Sequence, residues 1–367
     1  MLSQQALKEI LELISRSQGT FVVLEREEPR LVVLDYNLYQ KLVSRKSENG
    51  RKIQKQTMLV TGTADFLAKE LVKGLEAEGH EVVGVDDLSM LMNQSELDAI
   101  FSQHRFDVVF HLAESAGRKQ SQELSDFYFV NNVEASLILL KTMSKYGVDK
   151  MIYKSAYGYD SIYDRSKILF EDVLNFYHHA LGINSVSLRL PAISFAQEFA
   201  TESEIDAFLI DNPIGAVLAA ARGDTSCLSV PKVESADQTP EVELIDLASA
   251  ARAFNFAKDY LNQSSGSMIF NVLGFKSTIG QIISKAVDVT QKMIPTKHAD
   301  QSSLWQMLDA KEAKTLQSAG FSVNIDLDDL IVDLWGAQDE IQDTALPIAL
   351  SELLTGKYTP FIKPHNS

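Results

Sequence analysis

From Thr57 onward, short apolar runs alternate with longer stretches in which apolar residues recur every three or four positions. Runs of four or five apolar residues fit strands buried on both faces, and the 3.6-residue period fits helices packed through one side. The pattern predicts strands over 57–61, 81–85, 107–111, 150–155 and 185–189. Between them it predicts helices over 65–78, 94–103, 123–146 and 164–180. Such βα alternation implies a parallel, doubly wound sheet with helices on both faces. Between Asp87 and Asn93 a further strand is either lost or reduced to Leu88–Met92. Residues 192–335 mix short strands with helices and read as a smaller lobe. The tail, 336–367, carries one more helical pattern, Ile348 to Leu354.

The first 43 residues follow a different rhythm. Leu7, Ile10, Leu11, Leu13 and Ile14 form a helical apolar stripe. Thr20 to Leu24 and Arg30 to Leu34 flank Glu25-Arg26-Glu27-Glu28-Pro29 as a hairpin would. Asp35 then stands as an N-cap before Tyr39, Leu42 and Val43. This small α+β module, a helix–hairpin–helix, resembles the N-terminal fold of Phd/YefM-type antitoxins. That resemblance implies dimerisation and DNA binding; a docking or dimerising appendage is the other reading. Residues 44–56 (SRKSENGRKIQKQ) are polar and basic and read as a flexible linker.

Charge sharpens this division. The chain of 367 residues carries −16 overall. Residues 1–56 hold ten Lys/Arg against seven Asp/Glu, which leaves +3 there and −19 over the remainder. An acidic main body disfavours nucleic acid as a partner. No apolar run reaches the roughly 20 residues of a membrane span, and the N-terminus has no signal-peptide pattern. A cytoplasmic location without membrane attachment is therefore expected. The single Cys227 excludes an internal disulfide and a multi-cysteine metal site, and His111, His178 and His179 offer no metal-ligand spacing with neighbouring carboxylates or thiols. No metal is expected. His111, ending a strand, reads as a packed histidine.

Candidate chemistry gathers around Ser155, Tyr163 and Lys167. Tyr163 and Lys167 are four apart, so on a helix they share a face. A free tyrosine titrates near 10, and a neighbouring cation can lower that by about 1–3 units. Ser155, ending the preceding strand, could bond the same substrate oxygen. The set suits proton abstraction from an alcohol while hydride leaves its carbon. Tyr146 and Lys150 share the same spacing but precede the strand and read as surface residues.

Landmarks along the chain widen this reading. They are Met58-Leu59-Val60-Thr61-Gly62, Val82 to Leu88, Phe106 to Ala113, Asn131-Asn132-Val133, Ser187 to Pro191, Glu243 to Ala248 and Phe270-Asn271-Val272. In this order, around the Ser155/Tyr163/Lys167 set, residues 58–335 resemble the extended short-chain dehydrogenase/reductases. The NAD-dependent sugar-nucleotide epimerases and dehydratases are the nearest branch. The resemblance implies a Rossmann-like domain at 57–191, a substrate lobe at 192–335, NAD as cofactor, a nucleotide-sugar substrate and a homodimer. It makes Tyr163 the base, Lys167 the cation that also holds the nicotinamide ribose, and Ser155 their hydrogen-bonding partner. The implied cofactor contacts are Gly62, Asp65, Phe66, Leu67, Asp86, Asp87, Leu112, Ala113, Asn132 and Lys167.

Several positions depart from the family pattern. In T-G-x-x-G-x-x-G, Asp65 stands for the second glycine and Ala68 for the third. A carboxylate 4–5 Å from a phosphate charge costs about 3–4 kcal/mol at an effective dielectric of 20, up to several hundredfold in affinity. Turning to solvent, or capping the helix, would lessen that. Glu114 replaces a small residue and adds a second negative charge. Only seven residues separate Ser155 from Tyr163, so the sugar-enclosing loop is short. Pro191-Ala192-Ile193-Ser194 replaces a polar stretch, and Arg222 and Arg252 either reach a diphosphate or form helix-surface pairs. Two functions follow: an epimerase or dehydratase acting through sugar C4, or a catalytically degenerate relative serving as a binding or regulatory module. A transcriptional regulator acting through residues 1–43 is a third.

Overall fold

The computed structural model describes residues 20–25, 28–34, 55–86, 88–116, 121–158, 161–197, 199, 201, 205–206, 208–209, 211–231, 241–299, 313–323 and 325–337. The chain divides into two compact units, Met1–Gln54 and Lys55–Ser367. In the first, β1 (Thr20–Glu25) and β2 (Glu28–Leu34) pair antiparallel, Thr20 facing Leu34 and Glu25 facing Glu28. The two helices expected around this hairpin, and the one at 348–354, lie outside the described residues.

The second unit begins with β3 (Thr57–Thr61), α1 (Phe66–Ala77), β4 (Glu81–Val85), α2 (Leu88–Met92), α3 (Gln94–Gln103) and β5 (Val108–His111). It continues with α4 (Ser125–Phe129), α5 (Ala135–Tyr146), β6 (Lys150–Ala156), α6 (Ile162–Leu181), β7 (Asn184–Leu190) and β8 (Ala192–Ser194). Then come α7 (Pro213–Arg222), β9 (Leu228–Pro231), β10 (Glu241–Asp246), α8 (Leu247–Leu261), β11 (Ser267–Asn271) and β12 (Phe275–Thr278). The last elements are α9 (Ile279–Thr290), β13 (Thr296–Ala299), β14 (Lys314–Thr315) and α10 (Leu327–Gly336).

Seven strands form one sheet in the order β14-β11-β7-β6-β5-β3-β4, and every pairing in it is parallel. Both faces are covered, as its apolar strands require. Leu67, Leu71 and Leu75 of α1 pack with Ala250, Phe254 and Ala257 of α8 in one core cluster. Leu97 of α3, Leu139 and Met143 of α5, and Phe170 and Leu174 of α6 form another. The smaller lobe has its own core, where Ile214 and Leu218 of α7 meet Ile282 of α9 and Ile331 of α10. Its β12-β10-β8 sheet brings Asp246 beside Ser194.

Two segments bear on the expected elements. Residues 88–92 are helical, so the strand there is lost and not merely reduced. Leu88, Met90, Leu91 and Met92 are good helix formers, and none is β-branched. The helix expected over 123–146 is interrupted by a π-helical turn at Val130–Glu134. Such single wide turns concentrate at functional sites, and this one carries Asn132.

Candidate active site

Chain order reverses across β3, since β4 lies on one side of it and β5 on the other. Ligands of open parallel sheets bind at the carboxyl ends of strands flanking such a switch point. Gly62, just past β3, has φ 81°. A Cβ added there would stand 2.7 Å from the backbone nitrogen of Ala113, just past β5. Glycine is therefore dictated both by handedness and by the close approach of the two strand ends. Beneath them Thr61 Oγ1 accepts from the Ala113 N–H at 3.1 Å and lies 2.8 Å from His111 Nδ1. His111 Nε2 is 2.6 Å from Ser136 Oγ. Burial, reinforced by Lys167, depresses the pKa of His111 to about 3, so it stays neutral at pH 7. It is a packed, fully hydrogen-bonded histidine.

Asp65 is the N-cap of α1, its Oδ1 accepting from the Leu67 N–H at 2.8 Å. The carboxylate thus satisfies its own helix terminus instead of projecting freely, the arrangement that lessens the expected repulsion. Phe66 stacks on Phe195, ring centres 4.8 Å apart. Asp86, past the end of β4, accepts from the Thr63 hydroxyl. Asp87 lies outside the described residues. Leu112 and Ala113 are buried, and Asn132 is completely so. Its side chain accepts from Ser115 N–H at 2.7 Å and donates to Ser115 C=O at 3.1 Å. A further bond reaches Ser166 Oγ at 3.1 Å. The π-turn thereby ties the segment after β5 to α6.

That segment presents Glu114. Its Oε1 accepts from Tyr163 Oη at 3.0 Å and lies 2.7 Å from Lys154 Nζ. Its Oε2 stands 3.0 Å from Lys167 Nζ. All four side chains are buried or nearly so, Lys167 completely. Burial pushes the carboxyl of Glu114 up, but attraction to Lys154 and Lys167 outweighs it and the pKa falls to about 2. Burial also draws Lys154 down, yet Glu114 and then Asp65 hold it above the ordinary lysine value. Lys167 goes the other way. Burial, with repulsion from Lys154, outweighs Glu114 and lowers it. Lys167 further sits 4.5 Å from the centre of the Tyr153 ring. The negative charge expected from Glu114 is thus matched by two cations.

Ser155 lines the same cavity, but its hydroxyl donates to Glu171 Oε1 at 2.6 Å. Glu171 is also gripped by Arg189, at 2.8 Å from Nε and 2.5 Å from the terminal nitrogen. Tyr163, Lys167 and Glu171 follow one another at four-residue steps along α6, which starts with a Ser161/Asp164 capping box. Neither Glu171 nor the pairing of Lys154 with Glu114 was expected from the sequence. The signals were there: one more four-residue step after Lys167, and an acid and a base at the ends of adjacent strands.

A cavity of about 110 Å³ opens beside Glu114, Lys154 and Tyr163. Asp65, Pro191, Ala192, Ile193, Phe195, Phe208, Asp211 and Asn212 are among its other walls. Arg222 and Arg252 are engaged on their own helices and loops, with Asp224 at 2.9 Å and Ser249 at 2.9 Å. Arg222 makes an ion pair there, whereas the contact of Arg252 is to a hydroxyl and not to an acid.

Residues 58–272, more than half the chain, match the sequence profile of the NAD dependent epimerase/dehydratase family. The chain belongs to that family. The curated UDP-glucose 4-epimerases of Lacticaseibacillus casei and Erwinia amylovora are each 24% identical to it. These alignments cover 76% and 77% of this chain and 96% and 98% of the relatives. Among solved structures, the Bifidobacterium longum UDP-glucose 4-epimerase in complex with NAD+ and UDP superposes with a TM-score of 0.66. It is 20% identical, covering 77% of this chain and 98% of that one. The Thermus thermophilus UDP-glucose 4-epimerase complexed with NAD gives 0.62 at 21% identity, covering 77% and 99%. This chain shares its Rossmann-like fold with both of these solved structures. The family's cofactor can be weighed against this chain's residues. The glycine turn at the switch point, the acid at the end of β4 and the phenol–ammonium pair on α6 fit a dinucleotide. Glu114 meets the last of these from within the chain.

Proposed function

We propose that the protein binds NAD and a nucleotide sugar and acts as an epimerase or dehydratase through transient oxidation at sugar C4, in the manner of a UDP-glucose 4-epimerase. The observation that carries this reading is the convergence of Tyr163 and Lys167 on Glu114, beside a cavity at the carboxyl edge of the sheet that Tyr163 and Ser155 line. The near-complete coverage of curated UDP-glucose 4-epimerases supports the substrate class. In this reading Gly62, Asp65, Phe66, Leu67, Asp86, Asp87, Leu112, Ala113, Asn132 and Lys167 form the cofactor cleft. Bound NAD supplies the hydride acceptor and donor. Tyr163 Oη takes the proton of the C4 hydroxyl and returns it, which requires that it first cease donating to Glu114. The positive charge of Lys167 favours the phenolate. Ser155 steadies the C4 oxygen once its hydroxyl turns away from Glu171.

Incubation of the full chain with NAD and UDP-glucose, followed by chromatography of the UDP-sugars, tests this. Formation of a C4-altered product is expected, with Tyr163→Phe slower by at least about a hundredfold at unchanged melting temperature. No conversion by the wild type at saturating NAD would leave the binding-only relative as the reading.

The same proposal includes a homodimer in the cytoplasm. Leu169 and Phe176, seven residues apart on α6, are 40% and 66% exposed, an apolar face suited to a second copy of this chain. Among the described residues no helix is long and apolar enough to cross a membrane.

A further inference from the structure

We propose that Glu114 is an internal occupant of the cofactor cleft, holding on Tyr163 and Lys167 the positions that the nicotinamide ribose of a bound dinucleotide would take, so that cofactor loading requires its side chain to leave. This rests on the NAD-dependent reading above. Three donors from two elements, Lys154 on β6 and Tyr163 and Lys167 on α6, converge within 3.0 Å of a single carboxylate. A hydroxyl-bearing ligand would compete with that carboxylate for the phenol proton and for the charge of Lys167. The cavity beside it, about 110 Å³, is smaller than the roughly 300–1,000 Å³ of ligand pockets.

The occupant is built to move at its side chain and not at its backbone. Asn132 grips both the N–H and the C=O of Ser115, the next residue. The adjoining cavity, lined by Glu114 and Lys154, gives the carboxylate space to swing aside together with its partner. Lys154 matters to that exchange. It keeps Glu114 paired when Lys167 is released, so the acid is not left alone in a buried site.

Calorimetric titration of NAD into the full chain reads the exchange directly. Three proteins are compared: wild type, Glu114→Gln, and the double variant Glu114→Ala/Lys154→Ala, which removes the carboxylate without leaving its added lysine unpaired. Losing hydrogen bonds to a charged group is worth about 10- to 100-fold in affinity. The double variant is expected to bind NAD tighter than wild type by that factor, with Glu114→Gln in between. Circular dichroism melting checks folding, and should the double variant not fold, Glu114→Gln carries the comparison. Equal NAD affinity in wild type and variants would overturn the proposal while leaving the cofactor reading intact. No binding by any of them at millimolar NAD would overturn both.

Discussion

Two buried acids in this molecule, Glu171 and Glu114, lead different lives. Glu171 meets one arginine, two-pronged, and one serine hydroxyl. Glu114 meets two lysines and one tyrosine hydroxyl. The difference lies in count and access. Glu171 and Arg189 form a two-pronged pair, with side chains 1% and 2% exposed. Glu114 lies between two cations that repel each other and borders a cavity. A planar guanidinium fixes its carboxylate in one geometry, whereas an ammonium is a point charge that tolerates several. The Glu171 pair therefore locks α6 to β7, while the Glu114 cluster can be reorganised without disturbing the sheet.

Removal of each acid breaks this comparison most forcefully. Glu171→Ala removes the carboxylate that takes two bonds from buried Arg189, and a loss of about 3–5 kcal/mol is expected in urea unfolding. Glu114→Ala/Lys154→Ala removes one charge pair and leaves buried Lys167 without its carboxylate, but a lysine can shed its proton where an arginine cannot, so the cost should be smaller. Equal costs would show that both clusters are structural.

Acid unfolding gives a somewhat smaller effect. His111 is held neutral in the fold down to about pH 3, against an ordinary value of 6.5. Below pH 6.5 the unfolded chain gains a proton that the folded chain does not, so stability falls as pH drops from 6.5 towards 3. At about 1.4 kcal/mol per unit, the ceiling is on the order of 5 kcal/mol. His111→Gln, which cannot titrate, should flatten the stability profile over that window. Glu114 acts lower: its ion pairs contribute above the usual carboxylate range near 4.5 and are lost as pH falls towards about 2. An unchanged slope between pH 6.5 and 4.5 in His111→Gln would remove the histidine from this account.

The smallest effect is expected at the other end of the cleft. Asp65 is a helix cap, and replacing a cap by glycine costs only a few tenths of a kcal/mol. Asp65→Gly should also change NAD affinity less than the Glu114 variants do. A larger gain than theirs, measured by the same titration, would make Asp65 the principal obstacle to the cofactor.

The frame of the molecule was legible because its strands are buried on both faces and read as continuous apolar runs. The Tyr163–Lys167 pair was legible because four-residue spacing places side chains together on any helix. Glu114 was visible as an unusual acid, but not as the partner of three donors 40 to 53 residues away. Linear spacing does not report which strand ends become neighbours; the order β6-β5-β3 does. Ser155 was seen beside the site, but the direction of its hydroxyl depended on Glu171 and Arg189, which meet only when α6 packs across β6 and β7. The π-turn at 130–134 escaped because one extra residue in a turn barely disturbs a 3.6-residue pattern.

A crystal structure of the full chain soaked with NAD tests the central claim most directly. The account predicts a dinucleotide across the β3–β5 switch point, with Lys167 and Tyr163 facing its nicotinamide ribose and the Glu114 carboxylate moved off both. A dinucleotide seated there while Glu114 keeps its contacts to Tyr163 and Lys167 would contradict it.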